Sequence, residues 1–192
     1  QERYYAKHIQ NPRVALGNVT SDGTLANLTA LLVAREKAFP PDKNFPGLRA
    51  AGTNAALQHY GYDRAVILVS TRGHYSIKKA ANILGIGESN VVEVGVDSNH
   101  RVDLRKLRRR LRRLQAKETP KTKIMAIVGI AGTTETGSVD NLQALEKVAR
   151  EVGAHFHVDA CWGGSALLVD EYRPLFKGIE HADSVSIDAH KL

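Results

Sequence analysis

The sequence has one cysteine in 192 residues, Cys161, so no disulfide can form within the chain and a reducing compartment suits it. It has no run approaching the roughly 20 apolar residues that cross a bilayer, and no charged-then-apolar leader at its start. A cytoplasmic chain with no membrane partner is the expectation. Several motifs are also missing. Without GxxxxGK[ST] there is no nucleotide P-loop, and without GxGxxG between a strand and a helix there is no dinucleotide fingerprint. HExxH and CxxC are absent, as is a GxSxG elbow. His155 and His157 alternate along one expected strand and would share a face, but nothing else supports a metal there, and none is expected.

Acidic charge is in deficit, and the net charge is +7. The whole excess sits in one run, Arg105, Lys106, Arg108, Arg109, Arg110, Arg112 and Arg113. Leu104, Leu107, Leu111 and Leu114 punctuate it at helical spacing, which predicts an amphipathic helix with a basic outer face. A solvated face is the simpler reading and no nucleic-acid partner is expected. A polyanion-binding module using residues 105–113 remains the non-enzymatic alternative.

What is present alternates between strand and helix. The pattern predicts a helix over Thr24–Ala38 after the capping types Thr20, Ser21 and Asp22, then a loop marked by Pro40, Pro41, Pro46 and Gly47. Strands are expected over Ala65–Ser70, Val91–Val94, Lys123–Gly132, the stretch ending at Asp159, and "SVSID", with another just before "TSDGT". Helices are expected over His74–Leu84, from about Asp103, and over Asn141–Val152 with Gly153 as its cap. No element is assigned between Gly47 and Ala65. This is an α/β fold with a largely parallel sheet.

In such sheets ligands bind beyond the C-terminal ends of the strands. Those ends offer "TSDGT", "TRGH", "AGTTETG", Asp159 and "DAHK". Each has an ordinary reading as a cap, a turn or a surface lysine; together they point to one site. A lysine amine, a carboxylate and a helix N-terminus suit pyridoxal 5′-phosphate: amine for aldehyde, carboxylate for the protonated ring nitrogen, helix N-terminus for the phosphate.

"HVDACWGGSALL" followed by "ADSVSIDAHKL", with "VTSDGTLANLTALLVAR", "RGHYSIKKAA" and "GTTETGSVDNL", resembles the group II pyridoxal-phosphate-dependent amino-acid decarboxylases across nearly the whole chain. The resemblance implies a fold type I large domain, with a mostly parallel sheet of the seven-stranded type flanked by helices. It implies Lys191 as the Schiff-base lysine, Asp159 as partner of the ring nitrogen and His74 stacked on the ring. Gly23 and Thr24, with Ser21 nearby, would bind phosphate; Thr134 would line the site, and His190 would contact the phosphate or the substrate side. Cys161 stands where the family usually has alanine, and Asp22, where many relatives have a small residue, must cap the helix or point away. The implied reaction is decarboxylation of a small amino acid, with aspartate ranked first and glutamate second, ahead of diaminobutyrate and tyrosine. Another fold type I lyase or aminotransferase is the enzymatic alternative. Such enzymes are longer homodimers, so residues 1–192 are expected to be part of the large domain, without its N-terminal segment and C-terminal small domain, and inactive alone.

Overall fold

The computed structural model describes residues 17–116 and 120–191. The strand expected before "TSDGT" would fall among residues outside that range, apart from irregular 17–20. Helix α1 (Gly23–Ala38) and helix α2 (Leu48–Tyr60) precede β1 (Arg64–Ser70). Then come α3 (Ser76–Ile83), β2 (Val91–Val94), α4 (Leu104–Leu114), β3 (Thr122–Ile130), α5 (Leu142–Glu151), β4 (His155–Asp159) and β5 (Ser184–Ser186). Short 3₁₀ turns fill the stretch between β4 and β5.

The five strands form one sheet in the order β2-β1-β3-β4-β5, and every pairing is parallel. Both faces are covered, as parallel sheets require. Along β1, Val66 and Leu68 point into a core shared with Leu107 and Leu111 of α4 and Leu142 and Leu145 of α5. Ile67 and Val69 point into the opposite core with Leu31 of α1, Ile77 of α3 and Phe39. The period-2 alternation of a strand thus divides one continuous apolar run between two cores.

The basic run forms α4 as expected. Leu107, Leu111 and Leu114 are buried, and Asp103 caps the helix by accepting from the amides of Arg105 and Lys106. Arg108 pairs outward with Glu151 of α5 at 2.6 Å. Helix α2 is the element that the sequence reading did not assign. Its apolar spacing is weak, and Gly52 interrupts it at φ +79°, a left-handed conformation that breaks the helical period. Helix α3 starts at Ser76 rather than His74, because the ring of His74 accepts from the Ser76 amide before the first turn closes.

Candidate functional site

Because all five strands are parallel, their C-terminal ends share one edge. The chain turns back there between β1 and β3, having gone from β1 to β2 on one side and then to β3 on the other. A cleft of about 220 Å³ opens at that edge. Its walls come from the start of α1 (Gly23, Thr24), the turn after β1 (Arg72, His74), the loop after β3 (Thr133, Thr134), the end of β4 (Asp159, Cys161) and the segment after β5 (His190, Lys191). Eight of the nine residues expected at the site line this one cleft. Ser21 does not; it lines the neighbouring groove along residues 17–22 and 183–190.

Asp22 also lines the cleft, and it caps α1: its carboxylate accepts from the Leu25 amide at 2.8 Å, which ties one of its oxygens to the helix. The Gly23 and Thr24 amides belong to the first turn, where no intrahelical acceptor exists. Gly23 is held in place by crowding. A Cβ there would lie 2.7 Å from Cys161 Sγ and 3.1 Å from both carboxylate oxygens of Asp188. The Cys161 thiol is pushed up to about 12 by burial, so it acts as a small neutral wall and not as a nucleophile.

Asp159 is buried at the last position of β4. Its Oδ2 accepts from Asn27 Nδ2 at 2.9 Å, and its Oδ1 from the Cys161 amide at 3.2 Å. Lys191 Nζ lies 2.7 Å from Asp188 Oδ2, and that carboxylate raises the ammonium above its usual range. The contact is close but poorly aligned for a hydrogen bond, so the buried Oδ2 is left without a well-formed donor. His74 sits at the rim, its Nδ1 2.9 Å from Ser76 Oγ.

Four residues at the site were not foreseen from sequence: Asn27, Ser76, Ser186 and Asp188. Asn27 is 1% exposed in the second turn of α1 and joins Ser76 and Ser186. Its Nδ2 reaches Ser76 Oγ at 3.0 Å, and Ser186 Oγ reaches its Oδ1 at 2.7 Å. The usable signal was asparagine inside a strong helix, where it is a poor helix former. His155 and His157 do share a strand face, and there both meet Ser184 Oγ, at 2.8 and 2.9 Å.

The residues fit pyridoxal phosphate. A lysine amine, a buried carboxylate and a helix start whose Gly23 and Thr24 amides have no intrahelical acceptor, crowded so that only glycine fits, surround one cleft. Fold and site together define an α/β scaffold suited to pyridoxal phosphate. The family described as "Pyridoxal-dependent decarboxylase conserved domain" matches residues 5–192, and the chain belongs to that family, whose cofactor is pyridoxal phosphate. It is 48% identical over 191 residues to an aspartate 1-decarboxylase of Aliivibrio fischeri, covering 100% of this chain and 34% of the relative. It is 34% identical over 181 residues to an L-2,4-diaminobutyrate decarboxylase of Rhizobium meliloti, covering 94% of this chain and 32% of the relative. The crystal structure of mouse CSAD superposes with a TM-score of 0.81 at 30% identity, over 100% of this chain and 37% of that one. The chain therefore spans about a third of the length of the curated relatives it matches.

Proposed function

We propose that this chain carries the cofactor-binding part of an amino-acid decarboxylase, and that the substrate is aspartate. The observation that carries the activity is the convergence of Lys191, Asp159 and His74 on one cleft from three strand ends. The 48% identity to an aspartate 1-decarboxylase, against 34% to a diaminobutyrate decarboxylase, supports the substrate.

In this reading Lys191 would hold the group through its amine, Asp159 would face its ring nitrogen, and Gly23 and Thr24 would take its phosphate. His74 would cover the ring, Thr134 and Cys161 would wall the site, and His190 would lie on the phosphate or substrate side. When bound, the group supplies an electron sink for the pair left on Cα as carbon dioxide departs. The chain's own residues supply orientation and charge. Asp159, bonded through both oxygens, is fixed in direction as well as in charge. Asp188 holds Lys191 Nζ at the cleft wall and favours its charged form while the amine is free. A homodimer of the full-length protein, located in the cytoplasm, completes the proposal. Among the described residues no helix is long and apolar enough to cross a membrane.

The test is to express the full-length protein with pyridoxal phosphate and measure carbon dioxide release from aspartate, glutamate, diaminobutyrate and tyrosine. Aspartate is expected to give the highest kcat/KM, and sedimentation is expected to show a dimer. Lys191→Ala should remove the visible absorbance of the bound cofactor. Release from none of the four amino acids sinks the activity, and survival of that absorbance sinks the role of Lys191.

A further inference from the structure

Helix interiors disfavour asparagine, yet Asn27 is buried in α1 with all of its amide valences engaged. Which atom faces which partner follows from chemistry. A carboxylate only accepts hydrogen bonds. The Asn27 atom 2.9 Å from Asp159 Oδ2 is therefore the amide nitrogen. The amide oxygen then faces Ser186 Oγ at 2.7 Å and His157 Nε2 at 3.0 Å. An amide oxygen also only accepts, so His157 Nε2 carries a proton.

Complete burial holds the His157 imidazole below its ordinary range, against the pull of Asp159, and its Nδ1 lies 2.9 Å from Ser184 Oγ and 3.2 Å from the Ser184 carbonyl oxygen. The same Ser184 hydroxyl lies 2.8 Å from His155 Nε2. From His157 Nε2 through Asn27 Nδ2 to Asp159, each N–H therefore points toward the carboxylate.

The other amide hydrogen of Asn27 goes to Ser76 Oγ at 3.0 Å. The Ser76 backbone N–H donates to His74 Nδ1 at 3.3 Å, which makes that nitrogen an acceptor. The Ser76 hydroxyl, already accepting from Asn27, donates to the same nitrogen at 2.9 Å. The neutral His74 ring thus carries its proton on Nε2.

We propose that Asn27 is a positioning residue that sets the proton state of both cofactor-facing groups, holding Asp159 as a carboxylate and His74 with its proton on Nε2. The His157 Nε2–H and the Ser186 hydroxyl behind it hold the amide oxygen away from Asp159. The inference rests on the cofactor reading above. The titratable groups that face Asp159 are His157 through Asn27, Cys161 on the next turn, and Lys191, whose own partner is Asp188.

The experiment uses the full-length protein loaded with pyridoxal phosphate, and reads cofactor affinity and the pH dependence of the cofactor's visible absorbance. Asn27→Ala should weaken cofactor binding on the order of tenfold, the effect of leaving a buried charged group short of a donor. It should also move the acid limb of the absorbance profile to higher pH, because a carboxylate that loses a donor is protonated more easily. His157→Leu should shift the same limb by less. His157→Gln, whose amide nitrogen can replace the Nε2–H, should recover most of the shift. A purely structural Asn27 would lower the melting temperature and leave the acid limb in place, which overturns the proposal. So does His157→Gln behaving like His157→Leu while both retain cooperative melting. Asp159→Asn separates the two readings. If it loses affinity while Asn27→Ala does not, the relay is wrong and the cofactor assignment stands; if neither loses affinity, both are wrong.

Discussion

His155 starts β4 with 5% of its surface exposed, and burial lowers its pKa to about 4. Asp140, which accepts from the amides of Val102 and Ile130, is raised to about 6, again mainly by burial. Their effects on stability run in opposite directions. Between pH 6.5 and 4 the unfolded chain binds the His155 proton and the native chain does not, so stability falls as the pH drops. Between about pH 4 and 6 the native chain keeps the Asp140 proton and the unfolded chain does not, so stability falls as the pH rises. Each is worth about 3 kcal/mol across its window. Denaturant midpoints measured from pH 4 to 6.5 should therefore slope apart: relative to wild type, downward with rising pH in His155→Gln and upward in Asp140→Asn. Parallel profiles would remove this account. These two residues also show what sequence reveals at this scale. Lys191, Asp159 and His74 were legible because few residue types do their chemistry and each stands at a strand end. Asn27, Ser76 and Ser186 were not, because small polar residues are common and only the packing of α1 against β4 and β5 gives them partners.

Helix α4 shows the contrast between the two faces of one element. Leu107 and Leu111 are nearly inaccessible in the core beneath β1 and β2, whereas Arg105 is 96% exposed. Leu111→Ala should cost roughly 2–5 kcal/mol by deleting buried methyl groups and leaving a cavity. Arg105→Ala should change stability by no more than about 0.5 kcal/mol. Urea unfolding of both variants is the check, and equal losses would mean that the basic face is structural. Elements with this kind of strict spacing were readable in advance, as were the apolar runs of β1, β3 and β4. Helix α2 was not, because its glycine kink and weak apolar stripe leave it dependent on contacts with Phe39 and Phe45 rather than on its own pattern. β5 is only Ser184–Ser186, shorter than "SVSID", since strand length is set by how far its neighbour β4 runs.

At the scale of the molecule the site is made of pieces from both ends of the described chain. The hydrogen bond between Ser186 and Asn27 joins residues 159 positions apart, and no single element holds more than a fragment of the cleft. A ligand that touches all of them binds the native state and has little to hold in the unfolded one. Pyridoxal phosphate at a hundred times its Kd should therefore raise the unfolding free energy of the full-length protein by about 2.7 kcal/mol. Asp159→Asn should lose most of that gain, and a melting temperature indifferent to cofactor concentration would contradict it. The crowding around Gly23 carries this idea into the life of the protein. Only glycine fits there once the Cys161 turn and the Asp188 segment have packed against α1, so this corner of the cleft exists only where segments far apart in sequence have met. A ligand held there should therefore protect the full-length protein from added protease, since cleavage needs those segments to come apart.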